Sequence, residues 1–294
     1  MTASIFPADL AAPPEWIATA DHPRFADAAQ ALAGNMLALC DGDRRLAAVF
    51  KDAGRYVTAM SVAYLDGAGG LTMKLLKQIC AGTGFLSPGR ARAIVEFLLH
   101  LDYLTPATDT KGETHYRPTA AFSDAWARHL RAAIAAAALI EPSLGPLAAR
   151  LTEPAVYAAL LTTQAARLHA LARDPAANPF PALNRAFLHP HAGSQILWTL
   201  TLLGGNVTAP AGTILLPIST TSRRFGVTHL HVRRLLKRAQ EEGLIVYRGR
   251  GRLSITDAGM PVIALHYAFQ LAELVACGTA VLDALARDKG GPRS

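Results

Sequence analysis

One pattern recurs along the chain at a separation of 141 residues, and it limits what the chain can fold into. A helical run, a Gly-rich breaker, a short helix, a longer helix and two β-rich runs occur between Phe25 and Thr119. The same order returns from Ser194 to Gly259. With this offset Ser87 falls on Thr228, Ala91 on Val232, Val95 on Leu236, Leu98 on Ala239 and Leu104 on Ile245. Identity is low, so it is the spacing of apolar and breaking positions that repeats. Such spacing predicts one small helical module used twice, each copy closed by a short hairpin. The 294 residues suffice for two such domains, at about 100–200 residues each. With 51% hydrophobic and 17% charged residues, wholesale disorder is excluded.

Breakers then divide the chain. Residues 1–25 carry Pro7, Pro13, Pro14 and Pro23 and read as an irregular arm. Residues 26–140 hold the first copy, with Ser87-Pro88 as N-cap and first helical residue and Lys111-Gly112 near the tip of its hairpin. Residues 141–192 form a helical connector that ends in "DPAANPFPALNRAFLHPHAG", a Pro-rich linker. Residues 193–294 hold the second copy and a C-terminal helix from about Pro261 to Arg287. Ile263, Tyr267, Leu271, Leu274 and Leu282 give that helix an apolar stripe suited to dimerisation.

Charge separates the two copies. Between Arg223 and Arg252 lie nine Lys and Arg residues and two acids, Glu241 and Glu242. Their surplus equals the +7 of the entire chain, so the remainder sums to zero. In the helix after Thr228, the residues Val232, Leu235, Leu236 and Ala239 form one apolar stripe. The opposite side holds Leu230, Arg233, Arg234 and Lys237, flanked by His231 and Arg238. A solvated helix face mixes signs at i, i+4 spacing, whereas this one has no acid between Arg223 and Ala239. In the first copy the aligned face is Arg92, Ala93, Glu96 and His100, and its hairpin sets Lys111 and Arg117 against Asp109 and Glu113. The first copy therefore keeps the module without the charge.

The stretch "STTSRRFGVTHLHVRRLLKRAQEEGLIVYRGRGRLSITDAG" resembles the winged helix-turn-helix of bacterial transcription regulators of the MarR and GntR groups. The resemblance rests on the turn at Phe225-Gly226-Val227, the N-cap Thr228, the stop at Gly243 and the apolar strand with its basic turn and "SITDAG". It implies a mainly α fold with small β-wings, as tandem winged helix-turn-helix domains joined by long helices. It also implies a sequence-specific DNA-binding transcription regulator. The recognition helix would begin at the N-cap Thr228, itself counted among the DNA-binding residues, and read the major groove through His229, Leu230, Arg233 and Arg234. Arg223, Arg224, Lys237 and Arg238 would meet phosphates. The wing arginines Arg248, Arg250 and Arg252, spaced by Gly249 and Gly251, would reach the backbone or the minor groove. The expected partners are double-stranded DNA and a second copy of the chain, with room for a small-molecule effector. Two other readings are a plasmid-type replication initiator, in which both copies bind DNA, and a protein-interaction scaffold that binds none.

Other chemistry finds little support. No GxSxG, HExxH, GxxxxGK[ST] or GxGxxG motif is present, and "GRGRLS" opens no helix, so no enzyme and no cofactor are expected. His189 and His191 lack clustered Cys or carboxylate neighbours and read as linker rather than metal ligands. Cys40, Cys80 and Cys277 are far apart and odd in number, which fits a reducing cytoplasm. The N-terminus has no signal-peptide pattern, and the most apolar run, Ala132 to Ile140, is shorter than the ~20 residues of a membrane span. Trp126, Trp198, Tyr56, Tyr64 and Phe269 are read as core.

Overall fold

Apolar periodicity becomes helix wherever a cap or a proline delimits it, and most of the chain is helical. The computed structural model describes residues 12–67, 71–82, 88–108, 114–172, 180–209 and 212–289. The N-terminal helices are α1 (Pro14–Ala20), α2 (Phe25–Gly42), α3 (Arg44–Val49) and α4 (Ala53–Gly67). Next come β1 (Leu71–Thr72), α5 (Met73–Gly82), α6 (Pro88–His100), β2 (Leu104–Thr108) and β3 (Thr114–Pro118). A helical stretch contains α7 (Ala120–Ala137), a 3-10 turn (Pro142–Leu144), α8 (Gly145–Arg150) and α9 (Pro154–Ala172). Then α10 (Pro181–Leu183) runs into a π-helical turn (Asn184–Leu188), followed by α11 (Gly193–Gly204). The remaining elements are β4 (Ile214–Leu215), α12 (Ile218–Phe225), α13 (His229–Glu241), β5 (Ile245–Tyr247), β6 (Arg252–Ile255) and α14 (Gly259–Lys289).

The repeated pattern has a repeated topology. Each three-stranded antiparallel sheet places its last strand in the middle, β1-β3-β2 and β4-β6-β5. The apolar positions match as well: Ala91 and Val232, Val95 and Leu236, Leu98 and Ala239, and Leu104 and Ile245 are all buried. Ser87 lies outside the described residues, as do Lys111, Gly112, Asp109 and Glu113. The copies also share a hydrogen-bonded clip. Thr119 Oγ1 donates to the Asp102 carbonyl at 2.8 Å and its N–H to the Tyr103 carbonyl at 3.0 Å. Thr256 repeats both bonds, to Gly243 at 2.5 Å and to Leu244 at 3.1 Å. Each threonine hydroxyl then accepts a backbone N–H of the next helix, from Phe122 and from Gly259. Asp102 and Gly243, which end α6 and α13, both have positive φ, 55° and 74°. "SITDAG" is thus a strand that ends in a clip. Gly259 is required beside it, because a Cβ there would stand 2.1 Å from the Leu244 carbonyl oxygen.

Contacts divide the chain into two compact units. The one carrying the basic window, the basic unit, comprises Met1–Ala53, Ala136–Glu141 and Asn178–Ala272. The companion unit comprises Gly54–Ala135, Pro142–Ala177 and Glu273–Ser294. In the basic unit α2 packs on α11, and buried Gln195 ties α11 to the Ala47 carbonyl at 3.0 Å. In the companion unit Phe122 stacks on Trp126 with centroids 5.6 Å apart. Tyr56 packs on Trp126, and its hydroxyl lies 3.1 Å from His129 Nε2. Arg167 on α9 makes a bidentate pair with Glu273 at 2.7 and 2.9 Å.

Several expectations need correction. The arm over residues 1–25 is helical at α1, where Pro14 starts the helix and Trp16 is buried between Phe180 and Phe269, with centroids at 6.1 and 4.8 Å. That anchor lies far along the chain, so the proline count of the arm could not reveal it. The linker after Asp174 is structured from Phe180 onward: Leu183, Asn184 and Phe187 are buried, and the π-helical turn packs on α13. The two packing units interleave along the chain. The stripe assigned to dimerisation is used within the chain: Ile263, Tyr267, Leu271 and Leu274 are buried and Leu282 is half-buried. Over Gly259–Asp288, α14 is long and apolar enough to cross a membrane by length and composition. Its Ile263–Ala268 stretch is core of the basic unit.

Candidate nucleic-acid interface

The basic surface is built on α12, α13 and the β5–β6 hairpin. Gly226, at φ 60°, ends α12 in the left-handed conformation, and the Val227 N–H donates back to the Ser222 carbonyl at 2.9 Å. Thr228 is extended, and its Oγ1 accepts the His231 N–H at 3.0 Å. This caps α13. Val232, Leu235, Leu236 and Ala239 are buried. His229, Leu230, Arg233, Arg234, Lys237 and Arg238 are exposed, Leu230 by 54%. The helix thus commits one face to the core and leaves a cationic one outside, with an apolar side chain in its first turn.

The hairpin is fixed to this helix. Gln240 Oε1 accepts the Tyr247 N–H at 2.7 Å, tying α13 to β5. At the tip the Arg248 N–H donates to the Arg252 carbonyl at 2.8 Å, and the Arg252 N–H to the Gly249 carbonyl at 2.9 Å. Gly249, Arg250 and Gly251 are three successive residues with positive φ, 83°, 51° and 81°. At Gly251 the backbone makes a close approach to another part of the chain. The Leu216 N–H donates to the Gly251 carbonyl at 2.8 Å, and a Cβ on Gly251 would lie 2.0 Å from the Leu216 oxygen. Gly249 faces open space. The pinned tip borders an open cleft of about 320 Å³ that brings together His229 and Arg233 of α13, Arg250 of the tip, and Leu215 to Ser219.

Not every cation expected at the surface is available to a ligand. Arg224 makes a bidentate pair with Asp41 of α2 at 2.9 and 2.7 Å and lies over the Phe225 ring. Arg248 Nη1 donates to Ser254 Oγ at 3.3 Å. Thr228 is occupied as a cap, and His231 Nε2 donates to the His191 carbonyl at 2.7 Å. Among the described residues, Arg223, Arg233, Arg234, Lys237, Arg238, Arg250 and Arg252 make no ion pair within 4.0 Å, and Arg223 and Arg252 are exposed.

One contributor escaped the sequence reading. Arg185, in the supposed linker, clamps Glu242 at 2.7 and 2.6 Å and holds its carboxyl below the ordinary carboxylate range. The Arg185–Glu242 and Asp41–Arg224 pairs bring in one outside charge of each sign, so the surplus of the window is unchanged. A cation–carboxylate match at long sequence separation leaves no periodic signal in the chain.

In the companion unit the aligned face behaves differently. Arg92 and Glu96, both strongly exposed, pair at 3.1 Å across one turn of α6. Of the cysteines, Cys40 and Cys277 are buried free thiols, and burial pushes them up to about 11 and about 12. The side chain of Cys80 lies outside those described. No group of three or more His, Cys, Asp or Glu among the described residues is arranged to hold a metal ion. Compared with models of protein families, with curated proteins and with solved structures, the chain has no match.

Proposed function

We propose that the chain is a sequence-specific DNA-binding transcription regulator made of two winged helix-turn-helix domains. In this reading α12, α13 and the β5–β6 wing form the DNA-binding domain, with α13 as recognition helix. One observation carries it: α13 exposes Arg233, Arg234, Lys237 and Arg238 with no acid among them, opposite a fully buried apolar stripe, and the tip of the basic hairpin shares a cleft with its first turns. A helix so divided suits a major groove about 12 Å wide. Arginines without protein partners suit guanine edges and phosphates. The contacts assigned are Arg223, His229, Leu230, Arg233, Arg234, Lys237, Arg238, Arg248, Arg250 and Arg252. Arg224 and Thr228 hold the scaffold. The chain is then a binding protein rather than an enzyme. A homodimer on a palindromic operator belongs to the reading, formed through surfaces other than the buried stripe of α14. A replication initiator would use α6 on DNA too, and the Arg92–Glu96 pair favours the regulator.

The test is binding to random-sequence duplex across a salt series, for the wild type and for a triple Arg248, Arg250, Arg252→Ala variant. The wild type gives a linear log–log loss of affinity with salt, with a slope of about −0.9 per phosphate. The triple variant binds more weakly and with a shallower slope. Equal affinity and slope for both proteins would refute the reading.

A further inference from the structure

Arg233 and Arg250 come from different elements and reach one cleft. Arg233 lies one turn into α13, and Arg250 sits at the hairpin tip. Both are exposed, and the lining contains no carboxylate. The cleft, at about 320 Å³, is at the small end of ligand sites, roughly 300–1,000 Å³. Its apolar side is Leu215 to Ile218, and His229 stands beside Arg233.

Backbone geometry builds this convergence. Arg250 adopts φ 51°, a conformation that disfavours most side chains. It is kept there because Gly251 is locked to Leu216 on the other edge of the cleft. Two guanidinium groups facing one space with no acid between them repel each other. That cost is relieved by an anion between them. The aligned arginine of the companion unit, Arg92, has no such need, because Glu96 neutralises it.

We infer that the cleft between Arg233 and Arg250 is a seat for a single phosphodiester, filled by one backbone phosphate of bound DNA. Its sugar lies against Leu215 and Ile218. The inference rests on the DNA-binding reading and reassigns Arg233 from reading a base to gripping the backbone, which leaves Arg234 as the arginine that reads bases. Helix and wing would then be joined through one phosphate.

The test is a double-mutant cycle on the full chain, with random duplex over a salt series. The variants are Arg233→Ala, Arg250→Asn and the pair, asparagine being chosen because it tolerates positive φ. Equal melting temperatures confirm that the fold is retained. Each single substitution lowers affinity about 10-fold and flattens the slope by about 0.9, the value for one phosphate. The double variant does little more than either single one. A double variant weaker by about 100-fold with a slope change of about 1.8, or singles with no effect, overturns the shared seat while leaving DNA binding intact. Competition for the cleft by inorganic phosphate at about 1 mM, beyond that of chloride at equal ionic strength, also overturns it, in favour of a free anion. A wild type without salt-dependent duplex binding would instead defeat the reading on which the inference rests.

Discussion

Helices α6 and α13 occupy equivalent places in two copies of one topology, and their outer faces carry different charge. Their buried positions match one for one, their ends turn through the same left-handed residue, and the same threonine clip fastens the following hairpin. On the outer face, Arg92 closes on Glu96, whereas the aligned Arg233 and Lys237 have no ion-pair partner among the described residues. The scaffold therefore needs neither the charge nor its absence. The charge that distinguishes the copies sits on a small set of exposed side chains, and these can be exchanged without disturbing a core.

The comparison predicts equal losses where the copies agree and unequal ones where they differ. The largest effect concerns what they share. Leu236→Ala and Leu98→Ala each empty a fully buried site and each cost about 3 kcal/mol, read from urea melts of the full chain. A much smaller loss for one would break the equivalence of the cores. Next is a face exchange, Arg234→Ala with Lys237→Glu, which gives α13 the residues that α6 carries at those two positions. It weakens duplex binding about 100-fold, or roughly 2.7 kcal/mol, at unchanged melting temperature. Retained affinity would show that the charge on α13 is only solvated.

The glycines of the tip sharpen the contrast further. Gly251→Ala costs about 2 kcal/mol or more, from the left-handed penalty and the Leu216 oxygen, and Gly249→Ala about 1 kcal/mol from the penalty alone. Thermal melts separate the two.

Acid affects both units by one mechanism. Burial holds His266 of the basic unit down at about 4 and His129 of the companion unit at about 3, so both stay neutral in the folded chain. Unfolded histidine titrates near 6.5. As pH falls below that value the unfolded state takes up protons that the folded state refuses, and stability drops until the folded values are reached. At pH 5.5 each histidine costs about 1.2 kcal/mol relative to neutral pH, visible as a lower urea midpoint. His266→Gln and His129→Gln each flatten this dependence. The smallest effect returns to the shared clip: Thr256→Val and Thr119→Val cost about 1 kcal/mol each.

Much of this was legible in the chain. The i, i+3, i+4, i+7 stripe located the core face of α13, and Thr228 and Gly243 marked its ends to the residue. What escaped depends on partners distant in sequence. Asp41 meets Arg224 across 183 positions and Arg185 meets Glu242 across 57, and no local pattern announces either pair. The strands β1 and β4 have two residues each, too few for alternation to show. Trp16 looked like part of an arm because its burial depends on Phe180 and Phe269. The contact of Gly251 with Leu216 stays hidden for a related reason. A glycine reports that something comes close, and the sequence does not say what.

The locked tip has a consequence for the thermodynamics of recognition. Three consecutive left-handed residues held by Leu216 have lost their conformational freedom when the domain folds. Ordering a loop on binding opposes association by the entropy of the side chains and backbone it freezes. Here that opposition is confined to the arginine side chains. On the DNA-binding reading proposed above, the hairpin would meet an anion already shaped, and its affinity would be governed by charge and hydration rather than by the ordering of a loop.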